Sequence, residues 1–516
     1  MRKTFSFFEK IQPVFLIFCQ RFALKNLIFA FVFACFSAAV FAAASSSAVP
    51  SSSVSSNAVF VPQVSELFVI RDSDGNIFSE ENLNGIQIIR FSLYFGLCDE
   101  KSENFSKSVS VYEDLKNYCE EKEILKLGEE ARGEAILTLM YEKVLSRYAL
   151  KQTKVDTMLL NGSYNCVSSS LLYLALASDF GLDARVQETS RHAFVTLYLS
   201  DGRKIDVETT NPYGFNPGSK KAVPSNSSST RYATVPRNYY SNRHEISKRR
   251  AVTLVAKNLC ADFNEKDDYV SSVPLAASAY TFVSKEKDDA RKDFDTVAGN
   301  FAVYADKKNA SETGLDFLDE IFERYGKTEY LLSQYNDVAY NSAAEKCNRG
   351  EFEAAKANLE KRSANLKSKT VSEISKMIFE SQTIYEAQNL SPDDGILYVQ
   401  NARKSSFAQS DSKFRANLEK LEESLWSKKL ASDFNAENFL KAAEICDEGL
   451  ASLPLSSYLK SAKNACLQNH AAGVHNQIVP LVNARKYDEA AEILKNALKQ
   501  NPESRLLQND LRRIGK

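Results

Sequence analysis

The sequence carries almost no net charge, because 65 basic residues stand against 66 acidic ones in 516 residues. This balance offers nucleic acid no electrostatic attraction, and no nucleic-acid partner is expected. Tryptophan occurs once, as Trp426, and the nine cysteines never form a CxxC pair. Neither a zinc site nor a dithiol redox site is therefore expected, and no cofactor is predicted.

The N-terminus differs from the rest of the chain. Basic residues precede an apolar run over 27–44, and Ala42 and Ala44 offer a cleavage site. This layout predicts a secretory signal peptide or an N-terminal membrane anchor over residues 1–44. A Ser-rich, low-complexity stretch over 45–58 follows, which we interpret as a flexible linker.

The apolar run also allows two other interpretations. Lipidation at Cys35 would tether the protein to a membrane, and translation could begin near Leu24. We expect an exported protein of the periplasm or cell envelope. Any contact with the membrane would come through the N-terminal segment alone.

The remaining chain is too long for a single core, so several folded parts are expected. A lead-in segment over 59–107 contains alternating apolar residues such as Ile86 and Ile88, which predict short strands. The most informative motifs fall within 108–240. From 241 to 516 the apolar residues recur at helical spacing, which predicts an all-α region.

Residues 161–215 carry the clearest succession of elements. An Asn-Gly turn at 161–162 precedes an apolar helix that opens at Cys166. The runs ARVQE and HAFVTLYL are rich in β-branched and aromatic residues and predict two strands. An Asp-Gly turn at 201–202 leads into RKIDVETT, which predicts a β-hairpin. A cysteine at a helix start thus precedes a histidine, His192, at a strand start.

This order of residues suits nucleophilic cysteine catalysis. A thiol at a helix N-terminus generally has a lowered pKa. His192 could take the proton of Cys166, and an acid on the neighbouring strand could hold the imidazole in place. The Cys166 backbone N–H is the expected oxyanion donor, with Tyr164 or Gln152 as additional candidates.

The stretch from Asn165 to Phe215 resembles the core of the transglutaminase-like superfamily. The similar features are NCVSSSLLYLALA, FGLDAR, HAFVTLYL and IDVETT, in that order. The resemblance implies a transglutaminase-like domain over 108–240. Its α+β fold would be of papain/transglutaminase type, with a helix bearing the cysteine and antiparallel strands bearing the histidine and the acid. The resemblance also implies Cys166 as nucleophile, His192 as general base and acid, and Asp206 as the orienting carboxylate.

The hairpin register bears on the choice of carboxylate. A two-residue turn at 201–202 would point Asp206 away from His192, because side chains alternate across a strand. A three-residue loop with Gly202 at a bulge would return both to one face but leave them offset along the strands. Asn211 is the alternative orienting residue, since papain-type sites use asparagine in that role.

The helical region contains a recurring pattern. Three segments place an alanine three residues after an aromatic residue: Phe352 and Ala355, Phe439 and Ala442, and Tyr487 and Ala490. An aromatic followed by a small residue resembles the second helix of a tetratricopeptide repeat. The region is therefore predicted to form degenerate tetratricopeptide-like repeats that could bind a protein partner. A plain antiparallel helical bundle is the alternative.

By the resemblance, the protein would be an exported cysteine acyl-transfer enzyme that acts on peptide or protein amides. Water as acceptor would make it a peptidase or amidase, and an amine would make it a transglutaminase. The alternative is a catalytically inactive transglutaminase-like module that binds peptides, with the repeats mediating protein–protein interaction. A third interpretation is an envelope scaffold.

Overall fold

A computed structural model of the protein describes residues 59–217 and 231–515. The described chain before residue 180 contains five α-helices: α1 (Gly85–Phe95), α2 (Glu103–Glu121), α3 (Glu129–Lys143), α4 (Val155–Asn161) and α5 (Cys166–Asp179). Short 3-10 turns lie at Ile124–Lys126, Arg237–Tyr240 and Ser363–Asn365.

Two small sheets accompany these helices. The strands are β1 (Arg147–Tyr148), β2 (Ser163–Tyr164), β3 (Asp183–Glu188), β4 (Ala193–Tyr198), β5 (Lys204–Val207) and β6 (His244–Ile246). The first two strands form a short parallel pair. The other four form an antiparallel sheet in the order β5-β4-β3-β6. The described chain is thus a mixed α and β protein with a small antiparallel sheet.

The strands predicted around residues 86–88 are wrong, because this part of the lead-in segment is helix α1. Asn84 caps the helix by accepting the N–H of Gln87, and the Gln87 side chain accepts the Asn84 N–H in return. This capping box satisfies two N-terminal donors and outweighs the alternating apolar pattern. The lead-in contributes only an isolated bridge between Arg71 and Ile77 to β structure in the described residues.

The main hydrophobic core runs from Val64 to Ile378 along the chain. Helix α5 lies at its centre, and its residues from Val167 to Ala177 are all buried. A helix that is apolar on every side must be surrounded by other elements. Helices α1 and α3 and strands β3 and β4 surround it. The lead-in segment therefore packs into the same core as the motif-bearing part.

The chain is helical from Lys248 onward. The helices are α6 (Lys248–Asn264), α7 (Tyr269–Phe282), α8 (Lys287–Lys307), α9 (Ser311–Tyr325), α10 (Glu329–Asn348), α11 (Phe352–Arg362), α12 (Ser368–Asn389), α13 (Pro392–Arg403), α14 (Ser406–Ser410), α15 (Ser412–Asn435), α16 (Phe439–Ser452), α17 (Ser457–Asn483), α18 (Tyr487–Gln500) and α19 (Arg505–Arg513). Consecutive helices pack side by side through this region. The predicted helical C-terminal region is confirmed.

The recurring aromatic and alanine residues occupy equivalent places in these helices. Phe352, Phe439 and Tyr487 are the first residues of α11, α16 and α18. The alanines three positions later, Ala355, Ala442 and Ala490, are fully buried. Small side chains at these points allow the adjoining helices to approach closely. No described helix is long and apolar enough to cross a membrane, and the predicted signal or anchor over 1–44 lies outside the described residues.

Candidate active site

Cys166 is the first residue of helix α5, as predicted. Asn165 caps the helix: its Oδ1 accepts the N–H groups of Val167 at 3.0 Å and Ser168 at 3.1 Å. The Ser168 hydroxyl accepts the Asn165 N–H at 3.0 Å, which completes a capping box. The cap fixes where the helix begins and so holds the Cys166 thiol at its positive end.

Cys166 also differs from the other cysteines in its exposure. It is partly exposed, whereas the other six cysteines of the described chain are buried, and all seven are free thiols. Burial makes a thiol inert toward reagents and substrates. Cys166 is therefore the accessible thiol within the described residues.

His192 lies in the turn between β3 and β4. Thr189 holds this turn: its Oγ1 accepts the His192 N–H at 3.0 Å, and its N–H donates to the His192 carbonyl at 2.9 Å. The imidazole is buried, and Cys166 lies close enough to raise its pKa. Its Nε2 lies 2.7 Å from Oε2 of Glu208. Since Nε2 faces Glu208, Nδ1 is the ring nitrogen left for the Cys166 thiol.

Glu208 follows directly after strand β5 and is buried. Besides His192, its Oε2 accepts the Tyr240 hydroxyl at 2.5 Å. Its Oε1 accepts the Thr210 N–H at 3.1 Å and the Thr210 hydroxyl at 2.7 Å. Four donors thus satisfy a buried carboxylate, which is the condition for keeping a charge in a protein interior.

The two side chains stabilise each other's charged form. Burial is the largest influence on the pKa of His192 and lowers it, but the interactions with Cys166 and Glu208 outweigh it and raise the pKa to about 10. Burial raises the pKa of Glu208, yet the bonds from His192, Tyr240 and Thr210 bring it below its ordinary value. Both directions favour an imidazolium beside a carboxylate.

Asp206, the carboxylate predicted to orient the imidazole, does not contact His192. It accepts the Thr196 hydroxyl at 2.8 Å and the Arg243 guanidinium at 2.5 Å. Asn211, the alternative, is also engaged elsewhere, with its amide donating to the Ala233 carbonyl at 3.2 Å. The assignment of Asp206 to the imidazole is therefore wrong, and Glu208 takes that place.

The hairpin register explains why Glu208, and not Asp206, contacts the imidazole. Leu199 and Arg203 close a three-residue loop, and Thr196 pairs with Asp206. Extending this register places residue 210 opposite His192, with residues 206 and 208 on the same face. At about 3.3 Å per residue, Asp206 is offset by about 13 Å along the strands and Glu208 by about 7 Å. Only the nearer glutamate can reach the ring diagonally.

A buried hydroxyl network fixes the cysteine helix against the strand that leads to Glu208. The Thr209 Oγ1 lies 2.9 Å from the Ser169 hydroxyl and 3.0 Å from the Ser170 hydroxyl of α5. The Tyr141 hydroxyl of α3 donates to the Thr209 carbonyl at 3.0 Å. These bonds connect the elements that carry Cys166 and Glu208, and so set the spacing of the site.

The side chains considered for the oxyanion donate to main-chain carbonyls instead. The Gln152 amide donates to Lys154 at 2.8 Å and to Ser163 at 3.2 Å. The Tyr164 hydroxyl donates to the Arg231 carbonyl at 2.7 Å. Because the helix cap uses the next two N–H groups, the Cys166 N–H is the donor that the first turn of α5 leaves for an oxyanion.

The sequence singles out Cys166 and His192 as candidates, but it does not single out Glu208 and Tyr240, which the structure places beside His192. Alternation together with the three-residue loop could have indicated Glu208, because it lies on the face of His192 and nearer to it than Asp206. No local pattern marks Tyr240, which enters the site from a segment more than thirty residues further along the chain. Its contact with Glu208 depends on the tertiary fold.

Comparison with protein-family models, with curated proteins and with solved structures found no significant match. The resemblance to the transglutaminase-like superfamily therefore rests on the sequence motifs alone. Within residues 59–217 and 231–515, no group of three or more histidine, cysteine or acidic side chains is placed to hold a metal ion.

Proposed function

We propose that the protein is an exported, transglutaminase-like cysteine enzyme that transfers the acyl group of a peptide or protein amide. The observation that carries the proposal is the grouping of Cys166, His192 and Glu208, with the imidazole bonded to the carboxylate and Cys166 close enough to raise its pKa. This arrangement supplies a nucleophile, a proton carrier and an orienting group in the required order. The helix start at Cys166 supports it further.

In the proposed reaction, the Cys166 sulfur attacks the amide carbonyl carbon, and His192 holds the proton that the thiol gives up. The tetrahedral oxyanion forms near the Cys166 N–H. As the C–N bond breaks, His192 passes its proton to the leaving amine and a thioester remains. Water or an amine then attacks the thioester, gives a proton to His192 and releases the acyl group. Glu208 keeps the imidazole oriented throughout.

The proposal is tested by the reactivity of the thiol. We expect iodoacetamide at pH 6.5 to alkylate Cys166 at least tenfold faster than glutathione, and His192→Ala to abolish the difference. His475→Ala is the control, since His475 bonds to Asp510 in the helical region and should leave the rate unchanged. Alkylation no faster than that of glutathione would remove the basis for catalysis.

Turnover is tested separately with a protein substrate. A casein mixture with a fluorescent primary amine would report transamidation as labelled casein and hydrolysis as new peptide termini. Cys166→Ser should abolish either product. Which product forms identifies the acceptor that the site admits.

A catalytically inactive, peptide-binding module is the second candidate, with the tetratricopeptide-like helices engaging a protein partner. One observation favours it: the Gln152 amide and the Tyr164 hydroxyl both donate to main-chain carbonyls and not toward Cys166. An oxyanion would then have backbone donors only. Peptide binding that survives Cys166→Ser, together with ordinary thiol reactivity in the unaltered protein, would support the module over the enzyme.

A further inference from the structure

We propose that Tyr240 is a positioning residue of the acyl-transfer site, acting through Glu208 on the histidine. The inference rests on the proposed function of Cys166 and His192. The Tyr240 hydroxyl donates at 2.5 Å to Oε2 of Glu208, the same oxygen that lies 2.7 Å from the imidazole Nε2. The same carboxylate oxygen of Glu208 thus contacts both the Tyr240 phenol and the His192 imidazole.

The ring of Tyr240 also restricts the imidazole directly. Its centroid lies 5.9 Å from that of His192 at an interplanar angle of 83°, an edge-to-face contact. Phe194 contacts both rings: its centroid is 5.0 Å from Tyr240 and 6.2 Å from His192. The imidazole therefore meets one aromatic ring edge-on and another nearly parallel to it, which limits its rotation.

Asp206 anchors the segment that carries Tyr240. The Arg243 guanidinium, three residues beyond the tyrosine, donates to Asp206 at 2.5 Å and lies 5.4 Å from the Phe194 ring centroid. Pairing of β6 with β3 fixes the same segment immediately afterwards. Asp206 therefore acts on the site indirectly, because it fixes the segment that delivers the Tyr240 hydroxyl to Glu208.

The hydroxyl should determine the pH range in which Glu208 remains a carboxylate. The titratable groups whose pKa values Glu208 influences are His192, Tyr240, Tyr141 of α3, Tyr148 of β1 and Tyr164 of β2, and the charged or titratable groups that act on these in turn include Cys166, Arg231 and Asp206. Burial raises the pKa of the last three phenols, so they stay neutral in acid. Loss of the Tyr240 donor leaves His192 and Thr210 to stabilise the carboxylate.

The test is the pH dependence of Cys166 alkylation by iodoacetamide in Tyr240→Phe, which removes the hydroxyl alone. Loss of a hydrogen bond to a charged group should shift the midpoint of the acid limb of the rate–pH profile upward by about one pH unit, which lowers the rate about tenfold at a fixed acidic pH. Tyr198→Phe is the matched control. Tyr198 donates to Glu245 at the exposed edge of the same sheet, and its loss should leave the profile unchanged.

The outcomes separate the positioning role from the proposed function. A fast wild-type thiol whose profile coincides with that of Tyr240→Phe would overturn the role of Tyr240 and leave the enzyme intact. A wild-type thiol no faster than glutathione would overturn the enzyme itself. A merely structural tyrosine would lower the melting temperature without moving the acid limb, and this result would also reject the proposal.

If Tyr240→Phe does not fold, a second variant tests the same proposal. 3-Fluorotyrosine incorporated at position 240 keeps the ring and makes the hydroxyl a stronger donor. The acid limb of Cys166 alkylation should then move to lower pH, the opposite direction from Tyr240→Phe. An unmoved limb in a folded fluorotyrosine protein would contradict the positioning role.

Discussion

The Nε2 atom of His192 lies 2.7 Å from Oε2 of Glu208, and both side chains are buried. The pKa of His192 is raised to about 10 and that of Glu208 is lowered, as expected for a charged pair inside a protein. Glu208 therefore has two effects on the ring: it fixes the orientation, and it keeps the ring protonated.

We expect Glu208→Gln to lower acyl-transfer activity by on the order of 10²-fold, because an uncharged amide no longer stabilises the imidazolium. Glu130→Gln is the matched control, since Glu130 is a glutamate that pairs with Arg203 on the exposed surface. It should change the activity less than about threefold, because this pair lies at the loop end of the hairpin, away from His192. Equal losses in both variants would contradict the assignment of Glu208.

The charged pair also predicts how stability depends on pH. The folded-state pKa of His192 lies above its ordinary 6.5, so the protonated ring contributes stability that is complete below pH 6.5 and lost as the pH rises through about 10. The pKa of Glu208 is lowered from 4.5, so its contribution is present above pH 4.5 and lost in acid. The pair stabilises the fold most between these two ordinary values.

This pH dependence is measured by urea unfolding of the wild type and His192→Gln at pH 5.5, 8 and 10.5. The difference in unfolding free energy should be largest at pH 5.5 and smallest at pH 10.5. His244→Gln is the control, because its imidazole is 47% exposed. A difference for His192→Gln that grows with pH would contradict the charged pair.

Some residues of the site can be predicted from their neighbours in the sequence, and others cannot. Cys166 and His192 follow from short-range signals, a turn before an apolar helix and the start of a β-branched run. Glu208 depends on the strand register, which a three-residue loop with Gly202 at φ +87° sets. A shift of one residue in that loop would turn every side chain of β5 to the other face.

The fold shows the same division. Strands β3, β4 and β5 and the helical C-terminal region follow from periodicity, whereas the alternating apolar residues of α1 predict strands and its capping box favours the helix that forms. Tyr240 could not be found in this way. Arg243 and β6 hold the segment that brings Tyr240 to Glu208. Contacts over such long sequence separations depend on tertiary packing and not on local propensity.

Thr209→Val tests the hydroxyl network between the cysteine helix and the strand. Valine matches threonine in shape but removes the Oγ1 that lies 2.9 and 3.0 Å from the buried Ser169 and Ser170 hydroxyls, which keep only the Asn165 and Ala193 carbonyls as partners. We expect a loss of about 1–3 kcal/mol in unfolding free energy by urea denaturation. Thr296→Val on the exposed side of α8 is the control and should stay within about 0.5 kcal/mol. An unchanged Thr209→Val would show that the network adds nothing to stability.

Gly162 and Gly202 provide a matched pair for the two turns of the site. Both have positive φ, +70° and +87°, so alanine at either should cost about 1–2 kcal/mol through the backbone alone. A Cβ at Gly162 would also lie 2.7 Å from the Val144 carbonyl oxygen, whereas nothing lies within 4 Å of one at Gly202.

Gly162→Ala should therefore lose about 1–3 kcal/mol more than Gly202→Ala in urea unfolding. Because residue 162 leads through β2 into Cys166, Gly162→Ala should also slow Cys166 alkylation, and Gly202→Ala should slow it less. Equal unfolding free energies for the two variants would contradict the close approach at Gly162. Slower alkylation in Gly202→Ala than in Gly162→Ala would instead show that the hairpin register governs thiol reactivity more than the turn before the cysteine helix.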